Sequence, residues 1–85
     1  MIRLTVKATQ DGTTTVEIEG RIVSEWINVV EIECQGLLAQ GNKVVLDCSA
    51  VSFVGEDGVR MIRRLITKGC GIKNCPSFIQ QILFT

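Results

Sequence analysis

The sequence contains no histidine among its 85 residues. That removes the commonest general base and the commonest nitrogen ligand for a metal. Basic and acidic side chains balance at 9 each, so no global positive field exists to draw nucleic acid or acidic lipid. Aromatic residues make up 5%, which leaves no stacking platform for bases. No apolar run approaches the roughly 20 residues that cross a bilayer. The N-terminal run Met1 to Lys7 is too short and too polar for a secretory leader. Repeats, linkers and low-complexity tracts are also missing. What remains is the expectation of one cytoplasmic domain over residues 1–85, without direct membrane insertion, cofactor or metal, and with one modest core.

Four cysteines are present, Cys34, Cys48, Cys70 and Cys75, but no C-x-x-C pair. Without histidine or secretory context, neither a zinc site nor a disulfide scaffold is expected. Cys34 and Cys48 lie among apolar residues and read as small buried hydrophobes. Cys70 and Cys75 flank a short strand, where a redox pair is the alternative to two free thiols.

Residues 2–7 alternate apolar and polar, as does the β-branched run 13–19, and Asp11-Gly12 between them is a turn signal. The two runs predict a hairpin, with Gly20 ending its second strand. Ser24 is placed to cap a helix from Glu25 to Gln40, on which Trp26, Val30, Cys34, Leu37 and Leu38 form one apolar stripe widened by Ile27. Gly41-Asn42 is its stop. Val44-Val45-Leu46 reads as a buried strand ended by Asp47, followed by a polar turn in which Ser49 and Ser52 sit. A second helix is expected from Glu56 to Lys68, with Val59, Met61, Ile62, Leu65 and Ile66 inward and Arg60, Arg63, Arg64 and Lys68 outward. Ile72-Lys73-Asn74 is a short strand, and Pro76 opens a last helix whose apolar side is Phe78, Ile79, Ile82 and Leu83.

The order is therefore β-β-α-β-α-β-α. Strand-helix-strand alternation demands right-handed crossovers, so the fold class is α/β, a four-stranded mixed and mostly parallel sheet. One apolar side per helix puts the helices on one face of that sheet and leaves the other partly open.

At this point the chain resembles the STAS family, the sulfate-transporter and anti-sigma-factor-antagonist module. The residues that carry the resemblance are Gly20-Arg21, the run Val44 to Val54, and Gly58, with a further likeness at Asn74 to Phe78. The family pattern is an apolar strand, an aspartate, a small polar turn, Val-x-Phe-Ile, then Asp-Ser-Ser-Gly opening a helix. In the antagonist branch the first of those serines is phosphorylated by a partner kinase that is also the anti-sigma factor, and the added charge breaks the complex. Here Gly55 stands for the aspartate, Glu56 for the phosphorylated serine and Asp57 for the next; only Gly58 matches. The resemblance implies a non-enzymatic protein-interaction module contacting its partner through Ser52, Gly55, Glu56, Asp57, Gly58 and Arg60, with no phosphorylation at Glu56. It leaves open an anti-sigma-type kinase or an ATPase subunit of a membrane-associated transport assembly as the partner.

Three readings of Glu56 and Asp57 stand side by side: capping of the helix, permanent imitation of the phosphorylated state, or an interface rewired to a basic partner. Arg60 is the basic residue nearest the acidic pair, whereas Arg63 and Lys68 read as a solvated face. Ser49, Ser52 and Ser77 are the hydroxyls left as modification candidates. A small enzyme is the rival of another class, resting on Asp47, Glu56 and Asp57 with a thiol such as Cys75; it would require a raised carboxylate pKa or a low thiol pKa.

Overall fold

The computed structural model describes residues 1–9 and 11–84. The elements are β1 (Ile2–Ala8), β2 (Thr13–Ile22), α1 (Glu25–Ala39), β3 (Lys43–Val54), α2 (Glu56–Thr67), β4 (Gly71–Lys73) and α3 (Ser77–Leu83). The sheet order is β1-β2-β3-β4. β1 pairs antiparallel with β2, and the other two pairings are parallel. The mixed, mostly parallel sheet expected from the element order is thus observed.

Register places one residue from each strand in rows across the sheet. On the covered face Val6, Val16, Leu46 and Ile72 form such a row. On the opposite face the next row is Thr5, Glu17, Asp47 and Lys73. The covered face carries the core: Val16, Ile18, Ile22, Val44, Leu46, Cys48, Val51 and Val54 meet Val30 and Cys34 of α1 and Val59, Met61, Ile62 and Leu65 of α2. The open face is polar and pairs with itself, through Arg3 with Glu19 at 3.9 Å and Lys7 with Glu17 at 3.1 Å. Cross-strand pairs of this kind keep an exposed sheet face soluble and in register.

Both long helices end the same way. After α1, the Gly41 amide donates to Leu38 O at 3.0 Å and the Asn42 amide to Leu37 O at 3.3 Å. After α2, the Gly69 amide donates to Ile66 O and the Cys70 amide to Leu65 O, each at 3.0 Å. These are Schellman pairs, and they require positive φ, which glycine adopts without a Cβ clash: 88° at Gly41 and 106° at Gly69. The stop expected from the sequence at Gly41-Asn42 is therefore made by backbone geometry, and Gly69 repeats it.

Four expectations need correction. The strand expected to end at Asp47 continues to Val54. Its pairing with β2 slips twice: Glu17 faces Asp47 but Glu19 faces Ala50, and Gly20 faces Val51 but Arg21 faces Phe53. Each slip is a bulge that adds one residue to β3. That is why alternation fails in Cys48 to Val54 and the run imitates a turn. β2 likewise continues past Gly20 to Ile22, because the lengthened β3 still offers it partners. Ser24 stands at the cap position of α1, but its side chain makes no cap bond and its φ is 53°. The apolar side of α3 is also only half used. Ile79 and Leu83 are buried in the core, whereas Phe78 and Ile82 are 43% and 42% exposed, because α3 buries only one stripe.

Candidate functional site

The acidic step sits where β2 and β3 end together. Ile22 and Val54 are register partners, and the Gly55 amide donates to Ile22 O at 3.1 Å. Gly55 is the only residue between β3 and α2, extended at φ −74° and ψ 167°. Its carbonyl accepts the first helical bond, from the Val59 amide at 2.9 Å. Gly58 then brings the helix close against the strand ends. A Cβ there would stand 2.9 Å from both Ile22 O and Val54 Cγ1. The first turn of α2 is thereby seated on the ends of the two central strands, with Glu56 and Asp57 exposed.

Neither carboxylate caps the helix. The cap position belongs to Gly55, which has no side chain, and no side-chain cap bond forms. Glu56 and Asp57 lie inside the first turn, so they favour the helix dipole without closing its orphan amides. Asp57 turns to Arg60, its neighbour one turn on, and pairs with it. Glu56 has no hydrogen bond or ion pair to another side chain among the described residues.

Of the residues singled out from the sequence, Gly55, Glu56, Asp57, Gly58 and Arg60 come together. Gly58 is buried, and its part is to seat the turn. Ser52 lies in β3 and not in a loop; it is the extra residue of the second bulge and is exposed. Two further contributors were not singled out. Ile82 of α3 reaches the same place, closing a shallow groove of about 220 Å³ with Glu56, Val59, Arg60 and Arg63. The signal for it was the surplus of apolar residues on α3, four where one stripe of two suffices. At the same end of the sheet, the Arg21 guanidinium stacks 4.7 Å from the centre of the half-exposed Phe53 ring, a cation–π pair on the open face.

The remaining basic residues of α2 are held differently. Arg64 reaches Glu31 of α1 through two bonds of 2.9 Å each, and this pairing holds the Glu31 carboxyl below its ordinary range. Arg63 donates to the Ile82 carbonyl at 2.6 Å, at the C-terminal end of α3. Asp47, away from the acidic step, accepts the Ser49 amide at 3.0 Å and the Asn74 side-chain amide at 3.2 Å. The Ser49 bond above all holds its carboxyl low. This is the local hydrogen-bonding role expected of it, though inside a strand. The thiols are free. Burial pushes Cys34 and Cys48 up to about 12, and raises Cys70 and Cys75 as well. Cys75 is therefore shifted away from the reactive range on which a thiol enzyme would depend. Among the described residues no helix is long and apolar enough to cross a membrane.

Comparison with known proteins adds a family model described as the STAS domain, which matches residues 5–71. No curated protein matches the chain. Among solved structures, an anti-sigma factor antagonist from Mycobacterium paratuberculosis superposes with a TM-score of 0.74 at 24% identity, over 85% of this chain and 66% of that one. The anti-sigma factor antagonist SpoIIAA in its unphosphorylated form gives 0.77 at 10% identity, over 94% of this chain and 80% of that one. A STAS-domain antisigma-factor antagonist from Rhodobacter sphaeroides gives 0.54 at 14% identity, over 91% and 94%. At these identities the likenesses establish a shared fold. The chain spans just under two thirds of the Mycobacterium protein's length.

Proposed function

The chain belongs to the STAS domain family, and from that premise we propose that residues 1–85 form one non-enzymatic, cytoplasmic module that binds another protein in partner-switching regulation. The observation that carries this reading is Glu56, exposed in the first turn of α2 and free of side-chain partners among the described residues. In the antagonist branch this place holds the serine that a partner kinase phosphorylates. Structural relatives named as anti-sigma factor antagonists, one of them in an unphosphorylated form, support the same direction. The contact surface consists of Ser52, Gly55, Glu56, Asp57 and Arg60, seated by Gly58.

Glu56 gives this surface a permanent negative charge where phosphorylation would supply a switchable one. A carboxylate carries about half the charge of a phosphoserine and fewer acceptor oxygens. The module is thus fixed near the phosphorylated-like state and binds an anti-sigma-type kinase weakly. Restoring the hydroxyl tests this. Immobilised Glu56→Ser, exposed to native extract with nucleotide, is expected to retain such a kinase that the wild type does not. Tight nucleotide-dependent binding of the wild type refutes the imitation. Capture of the same transport-ATPase subunit by both forms assigns the module to that assembly instead.

A further inference from the structure

The two edges of the sheet differ. β4 has only 3 residues, whereas β1 has 7, and among the described residues no strand lies on its far side. The ladder decides which residues face that edge. The Thr9 amide donates to Thr13 O at 2.8 Å, in the same register that pairs Lys7 with Thr15 and Arg3 with Glu19. Odd-numbered residues of β1 therefore turn their backbone groups to β2, and Ile2, Leu4, Val6 and Ala8 turn theirs to the open edge. The side chains of these same residues point to the covered face, where the cover thins along the strand. Ile2 and Leu4 pack on the core, but Val6 is 44% exposed and Ala8 is exposed too. A long edge beside an apolar row is a template for another strand. Charged side chains are the usual guard against such pairing. On β1 the two cations, Arg3 and Lys7, are already tied to Glu19 and Glu17 of β2.

We propose that this edge receives a second copy of the chain, β1 pairing antiparallel with β1 about a two-fold axis through Leu4. The free backbone groups meet only when even residues stand opposite even residues, which leaves few registers. Thr5 opposite itself sets Arg3 against Lys7 of the second copy, and Arg3 opposite itself sets two arginines together; directly opposed like charges are destabilising. Val6 opposite itself carries Ile2 past the end of the second β1. With Leu4 opposite Leu4, Ile2 faces Val6 and Arg3 faces Thr5. Apolar residues then meet on the covered face, and no like charges oppose each other on the open face. Each even pair exchanges two backbone bonds, about six across the seam. The edge is thus complementary to itself, as a two-fold contact requires. The product is one continuous sheet with the helices of both copies on one side. Its axis stands perpendicular to the sheet, so the two acidic steps lie at opposite ends of the dimer and both stay open. This goes beyond the reading of the chain as an interaction module, because it makes that module bivalent.

The test is sedimentation velocity of the full chain in reductant, which keeps the free thiols from cross-linking, from about 10 μM to about 1 mM. The expected result is a monomer–dimer equilibrium within that range. Val6→Pro removes an edge amide that β2 does not use, so it is expected to keep the fold, checked by circular dichroism, and to lose the dimer. Thr5→Lys reads the register. Within one chain position 5 faces Glu17, so the lysine is expected to hold or raise the melting temperature. Across the seam it faces Arg3 of the second copy, and the dimer is expected to weaken about tenfold. Thr5→Glu is expected to do the reverse in both respects. A monomer at every concentration overturns the proposal. A dimer that survives Val6→Pro, or that responds alike to Thr5→Lys and Thr5→Glu, overturns it too, since another surface or register then joins the copies. These variants leave the acidic step untouched, so kinase capture by Glu56→Ser succeeds or fails independently of the dimer.

Discussion

Replacing Gly58 by alanine is the sharpest test of how the acidic step is held. The added methyl would stand 2.9 Å from Ile22 O and from Val54 Cγ1, and 3.3 Å from Ile22 Cγ2. Real Cβ atoms do not sit that close to a carbonyl oxygen. The oxygen cannot retreat, because it belongs to the last paired residue of β2 and already accepts the Gly55 amide. The helix must therefore lift, and lifting it loosens Val59, Met61, Ile62 and Leu65 from the core. Overpacking of this kind costs about 1–3 kcal/mol. Against it, alanine is a better helix former than glycine by up to about 1 kcal/mol. The net expectation is a loss of about 1–2 kcal/mol, which in a domain of this size lowers Tm by roughly 5–15 °C. Thermal melts followed by circular dichroism measure it. The control is Gly36→Ala inside α1, four residues before its C-cap Gln40, where an added Cβ meets nothing within 4 Å. There the same substitution is expected to stabilise by about 0.5–1 kcal/mol. If Gly58→Ala melts at or above the wild-type temperature, the close seating of α2 on the strand ends is wrong.

Two more outcomes follow from groups away from that step. Asp47 is held below its ordinary carboxyl value in the folded state, first by the Ser49 amide, so its stabilising effect is full above the unfolded value and disappears as pH falls through the folded one. Melts of wild type and Asp47→Asn should accordingly differ at about pH 6 and converge near about pH 2; a gap independent of pH contradicts this. Burial of the thiols makes a second case: at about pH 8 an aromatic disulfide reagent should reach only half-buried Cys75 in the folded chain, more slowly than a free cysteine, with Cys34, Cys48 and Cys70 reacting only after denaturation.

The element order was legible in full, and the starts of α1 and α2 fell on the expected residues, Glu25 and Glu56. Helical spacing and glycine stops are strong, local signals, and the one-sided helices told that they would share one face of the sheet. β3 was harder, because its second half does not alternate. Buried Leu46, Cys48, Val51 and Val54 are spaced two, three and three, and only pairing with β2 explains the longer steps. Capping was misread for a different reason. Ser24 and the acidic pair are the right residue types, yet what decides a cap is which residue stands just outside the helix and where its side chain turns. At α2 that residue is Gly55. The groove was invisible from the sequence because it joins residues of two helices across a distance that no spacing rule spans.

β2 runs from Val16 to Ile22 without a break in alternation, and its partners in β3 keep to its faces: Leu46, Val51 and Val54 stand inward opposite Val16, Gly20 and Ile22, and Asp47, Ala50 and Phe53 outward opposite Glu17, Glu19 and Arg21. Each bulge takes up one residue without turning those that follow it. Losing the extra residue at either place, Ser49 or Ser52, would restore plain alternation and leave Val54 inward at the foot of α2. The segment between Asp47 and Gly55 can therefore vary in length at two points while the acidic step stays on its own side of the sheet.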